Sequence, residues 1–169
     1  LPYTHLETRD SAILRIPDKK DAFLYWIDAL GVEYLSYIAI LAKKKGLSIH
    51  VDIAYVELPT ITSINKGFFE KWAGSKKEKE PRLDEIKHKE EGGYFYRPGQ
   101  APVHLASELE VIRKSIDRAA TELAMHTCKT FVIASDHGAS RLAVIHHQEE
   151  KYDTDTKGEH SGRCCKEFA

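Results

Sequence analysis

A chain of 169 residues, 42% hydrophobic and 30% charged, is long enough for one domain with a core, and its composition is that of a globular protein rather than a disordered or membrane-inserted one. Its formal charge of -1 excludes a bulk positive field, so any nucleic-acid contact would need a local patch. No apolar run approaches the roughly 20 residues of a spanning helix, and no basic stretch followed by an apolar one opens the chain; no membrane partner is expected, and a cytoplasmic setting is the default. The entry at Leu1-Pro2-Tyr3 without a methionine favours a single core domain over residues 1–169 cut from a larger protein. Three cysteines, Cys128 and the pair Cys164-Cys165, have neither the number nor the spacing of a disulfide framework or a thiolate zinc site, and read as plain thiols.

Residues 22 to 27 are a continuous apolar and aromatic run closed by Asp28, the pattern of a strand buried on both faces of a parallel sheet. After Gly31, the apolar residues Tyr34, Leu35, Ile38, Leu41 and Ala42 recur at helical spacing, and Lys43-Lys44-Lys45-Gly46 supplies a basic last turn and a glycine stop. Residues 47 to 56 alternate and carry β-branched side chains, which predicts a second strand. Thr62 or Ser63, after Pro59, is placed to cap a short helix running to about Trp72. Residues 71 to 93 are densely charged and punctuated by Gly74, Pro81, Gly92 and Gly93, which reads as a charged insertion or flexible loop.

Leu105, Leu109, Ile112, Ile116, Ala119 and Leu123 fall on one face of a long helix, with His104 near its start and Thr127 near its end. Residues 129 to 135 then form another buried strand, with Asp136-His137-Gly138 just past it, and residues 142 to 145 suggest one more short strand. The order predicts an α/β fold, an open and mostly parallel sheet with helices on its faces. Ligands in such folds gather beyond the carboxyl ends of the strands, where Asp28, the turn at 59 to 63 and Asp136-His137 all fall. An Asp-His pair in an exposed strand-end loop, beside a second carboxylate and a hydroxyl, is a mixed oxygen and nitrogen set that suits zinc, with manganese as the alternative.

Four segments carry a resemblance: Trp-Ile-Asp-Ala-Leu-Gly at 26 to 31, Leu-Pro-Thr-Ile-Thr-Ser at 58 to 63, Ile-Ala-Ser-Asp-His-Gly at 133 to 138 and Gly-Glu-His-Ser-Gly-Arg at 158 to 163. In this order they resemble the signatures of the alkaline phosphatase superfamily, and in particular its PglZ branch, found in bacterial BREX phage-defence systems. The resemblance implies an alkaline-phosphatase-like fold and a metal-dependent phosphatase or phosphodiesterase. It implies Thr62 as the nucleophile, with Thr60 and then Ser63 as competitors. It implies Asp28, Thr62, Asp136 and His137 as ligands of one metal, and His160 with His104 as candidates for a second, so that one or two zinc ions are expected.

In that family the second metal also takes an Asp and a His a few residues apart; no Asp stands three or four residues before His104, while Asp84 and His88 have that spacing inside the charged stretch. The phosphate-ester substrate would find bidentate partners in Arg141 and Arg163. His146 and His147, adjacent on the presumed last strand, would face opposite ways. The implied partners are a nucleic acid or nucleotide substrate and other phage-defence proteins. The competing functions are a metal-dependent nuclease and a catalytically silent scaffold of a defence complex.

Overall fold

The computed structural model describes residues 6–58, 60–88 and 103–138. In chain order these form α1 (Arg9–Leu14), β1 (Ala22–Ile27), α2 (Leu35–Lys44), α3 (Thr62–Asn65), α4 (Gly67–Glu70), β2 (Lys76–Glu80), α5 (Arg82–His88), α6 (Val103–Ala124) and β3 (Thr130–Ala134). The three strands make a parallel sheet in the order β2-β1-β3. Every residue of β1 is buried, as its unbroken apolar run requires of a central strand.

Alternation along β1 sorts the core into two layers. Phe23, Tyr25 and Ile27 point to one face, where Tyr34, Leu83, Val111 and Ile112 pack with partly buried residues of α2. Ala22, Leu24 and Trp26 point to the other, against Ile13, Phe68 and Trp72. The molecule is thus α/β with helices on both faces of a parallel sheet. Its described helices contain no segment long and apolar enough to cross a membrane.

The helix after Gly31 stops as its sequence directs. Gly46 adopts φ 68°, its N–H bonds the Lys43 carbonyl at 3.0 Å, and the Leu47 N–H reaches Ala42 O at 2.9 Å, which satisfies the last carbonyls of α2. The long helix likewise falls where its periodicity puts it.

Two expectations need correction. Residues 47 to 56 do not form a strand: their only pairing among the described residues is a bridge between Tyr55 and Thr8, and Ile49, Val51 and Ile53 are exposed. Strand propensity reflects packing on a sheet, and these residues join none of its described strands. Conversely, the stretch read as a charged insertion contains β2 and α5.

The charges of β2 are compatible with a strand because each face disposes of them differently. Lys77 and Lys79 lie over the rings of Phe69 and Trp26, with Nζ 4.9 and 4.0 Å from the centroids. On the other face Glu78 pairs with Arg118 at 3.5 Å, and buried Glu80 takes Arg82 Nε at 2.8 Å. Charged residues also suit a strand at the sheet edge. Residues 89 to 93 of the expected insertion, the expected strand at 142 to 145, and His146, His147, His160, Arg141, Arg163, Cys164 and Cys165 lie outside the described residues.

Candidate metal centre

Asp28 directly follows β1, Asp136 and His137 follow β3 by two and three residues, Asp84 lies on α5 after β2, and Thr62 opens α3. Parallel strands in register carry these residues, distant in sequence, to one edge. The loop bearing Thr62 is tied down by Asn65, which is fully buried: its side chain accepts from Glu57 N at 2.9 Å and donates to Glu57 O at 3.0 Å and to Ile61 O at 3.1 Å. Neither Thr62 nor Ser63 caps the helix; Ile61 occupies the cap without a side-chain bond, and the Thr62 hydroxyl turns to the cluster instead.

The Thr62 Oγ1 donates to Asp136 Oδ2 at 2.7 Å and stands 3.2 Å from His137 Nε2 and 3.4 Å from Asp28 Oδ1. A hydroxyl carries one proton, so the shortest of these contacts takes it and leaves the Asp28 oxygen as an acceptor without that donor. His137 Nε2 lies 3.3 Å from Asp136 Oδ2 and 3.7 Å from Asp28 Oδ1. A second set overlaps the first: one ligand atom from each of Asp28, Asp84 and His137 lies within 4.8 Å of the others. Asp28 and His137 belong to both. The two carboxylates, the imidazole and the hydroxyl of the first set, with Asp84 beside them, are a donor set that fits a divalent cation taking oxygen and nitrogen ligands.

The supporting groups are ones that sequence reasoning missed. Asp136 Oδ1 accepts from the Trp26 indole at 3.1 Å and from Ala29 N at 3.2 Å, and Arg9 Nη1 donates to the Asp136 carbonyl at 3.1 Å. Ala29 is fully buried at φ 59°, a left-handed conformation that costs a non-glycine residue about 1 kcal/mol and here delivers its N–H to the carboxylate. Lys79 Nζ holds Asp28 Oδ2 at 2.6 Å. Gly138 has its place through close approach: a Cβ there would come within 3.2 Å of the Gly31 Cα.

The Asp-His loop is not exposed as expected, since Asp136 and His137 are 0% and 4% accessible. Among the sequence candidates, Asp28, Thr62, Asp136 and His137 come together, joined by Asp84, which the charged surroundings had disguised. His104, on the first turn of α6, is not among the grouped ligand atoms, and no described contact links Thr60 to the cluster.

Burial, reinforced by the charge of Asp136, raises the Asp28 carboxyl from 3.8 to about 6 despite the opposing Lys79 ammonium. Since the folded-state value lies above the unfolded one, the stabilisation it brings to the metal-free protein is complete below about 3.8 and disappears as pH rises through about 6. Metal-stripped protein is therefore expected to melt at higher temperature near pH 5 than near pH 7.5, with about 1 kcal/mol at stake in that window, the part of the linkage that remains at pH 5. Asp28→Asn should flatten that difference. Thermal melts of both proteins across this range check it; equal pH slopes would place the titration elsewhere.

Fold and site together define an α/β protein with a carboxylate, imidazole and hydroxyl cluster beyond the strand ends. No family model matches the chain, and no curated protein or solved structure does.

Proposed function

We propose that the chain is a metal-dependent hydrolase of phosphate esters, of the PglZ type in the alkaline phosphatase superfamily, and that it acts in phage defence with zinc or manganese as its metal. The observation that carries the reading is the placement of one threonine hydroxyl within 3.4 Å of Asp28, Asp136 and His137. A structural threonine needs one partner, and a hydroxyl surrounded by two carboxylates and an imidazole has the surroundings of an activated nucleophile. The ordered motifs around Asp28, Thr62 and Asp136-His137 support the same family, as does the parallel α/β sheet.

Asp28, Asp136, His137 and Thr62 would hold one ion, and Asp84 is placed to contribute to it or to a neighbour. A bound divalent cation lowers the pKa of a coordinated hydroxyl and offsets negative charge on phosphate oxygens. The protein's own groups do the rest. The Thr62 proton, which points at Asp136 Oδ2 2.7 Å away, would leave to solvent when the hydroxyl is deprotonated, so that Asp136 stays ionised as a ligand. The Thr62 oxygen then bonds to phosphorus as the bond to the leaving oxygen breaks, and that oxygen departs with its electron pair. Water subsequently attacks the phosphothreonine, releasing phosphate or its monoester and returning the hydroxyl.

The test is metal content of the purified chain measured beside steady-state hydrolysis of an aryl phosphate monoester and diester with added zinc or manganese. Bound ion with turnover of either substrate is expected. A protein that holds an ion and hydrolyses neither would fit the scaffold role in a defence complex; one that holds none would remove the proposal.

A further inference from the structure

The two carboxylates that flank Thr62 share a supporting side chain. The Trp26 indole N–H donates to Asp136 Oδ1 at 3.1 Å, leaving Oδ2 directed at the Thr62 hydroxyl and His137. The face of the same ring lies 4.0 Å from Lys79 Nζ, and that ammonium holds Asp28 Oδ2 at 2.6 Å, leaving Oδ1 toward Thr62 and His137. Each carboxylate therefore has one oxygen tied behind and one turned inward. Trp26 itself is 4% exposed and held by Phe68 and Phe69, with ring centroids 5.5 and 5.2 Å away, so its own orientation is set by the core.

A buried indole N–H needs an acceptor, and a backbone carbonyl is the ordinary solution; Trp72 uses one, donating to Lys76 O at 3.1 Å. Trp26 instead donates to a fully buried carboxylate whose other oxygen is in the site. Groups behind metal ligands fix ligand orientation, and their loss typically weakens metal binding about 10–100-fold.

Resting on the metal-centre reading, we propose that Trp26 is a positioning residue that aims both carboxylates at one divalent cation, Asp136 through its indole N–H and Asp28 through the Lys79 ammonium seated on its ring. Phenylalanine at this position keeps an aromatic ring for Phe68, Phe69 and Lys79 but has no donor for Asp136.

The experiment has two arms on the full chain. In the first, zinc affinity of Trp26→Phe is measured by competition with a chelating dye, with circular dichroism as the check on folding; a loss of about 10–100-fold is expected. In the second, the wild-type chain labelled with ¹⁵N-tryptophan is titrated with zinc. Its sequence holds two tryptophans, so two indole signals appear, assigned with Trp72→Phe. The Trp26 signal should shift on zinc binding while that of Trp72 stays put, a readout available even where Trp26→Phe fails to fold. Wild-type zinc affinity in folded Trp26→Phe, or an unmoved Trp26 signal at zinc saturation, overturns the role of Trp26 while leaving the metal centre standing. A wild-type chain that binds no zinc overturns both.

Discussion

Replacing Thr62 by alanine is expected to lower turnover of an aryl phosphate monoester or diester by about 10³-fold or more, a loss of about 4 kcal/mol in transition-state stabilisation, while most of the metal remains bound. The contrast follows from the number of groups available for each task. Asp28, Asp136, His137 and Asp84 surround the position with other ligand atoms, but among the described residues Thr62 Oγ1 is the one hydroxyl in contact with both carboxylates and the imidazole. Removing it deletes one ligand among several and the attacking atom itself. Thr62→Ser keeps a hydroxyl on the same backbone and should retain part of the activity. Thr60→Ala should behave much as wild type, because no described contact brings Thr60 to the cluster. Steady-state rates measured beside metal content decide it: full activity in Thr62→Ala would assign the attack to another group.

Substituting Asp136 is expected to remove the metal. Alanine is a poor probe here, since Asp136 is fully buried and its loss would strip the acceptor from the Trp26 indole and from Ala29 N, at about 1–3 kcal/mol for each buried donor left unsatisfied. Asparagine separates the two roles. Its amide oxygen can still accept from both donors in the place of Oδ1, while its NH₂ faces the Thr62 hydroxyl without charge or lone pair for an ion. Zinc affinity in Asp136→Asn should fall by more than about 100-fold, beyond the range typical of outer-shell groups, because a ligand itself is lost. The melting temperature of the metal-free variant at pH 7.5 should stay at or above that of wild type, because the charge next to Asp28 is gone. Calorimetric zinc titration and thermal melts measure both; undiminished zinc binding would place the ion elsewhere.

Some of this chemistry is visible without a structure. The apolar run of β1 ending in Asp28, the helical spacing of α6 and the apolar run before Asp136-His137 each encode an element and its end through local periodicity, which depends only on neighbours a few residues away. The strand-end positions of Asp28 and Asp136-His137 follow from the same runs. Residues 47 to 56 and 76 to 80 show where that legibility stops. The first has strand composition without a strand neighbour. The second has loop composition, but a central strand to pair with, aromatic faces for its lysines and cations for its glutamates.

Sequence alone therefore determined which residue types stand at the ends of β1 and β3, and that a hydroxyl lies in the turn after Pro59. Tertiary structure decided that Thr62 rather than Thr60 meets the carboxylates, that Asp84 joins them, and that Trp26, Lys79, Ala29 and Arg9 hold them from behind. The physical reason is that orientation of a carboxylate depends on donors arriving from other strands and helices. Pairing β1 with both β2 and β3 creates those contacts, and they leave no periodic trace along the chain.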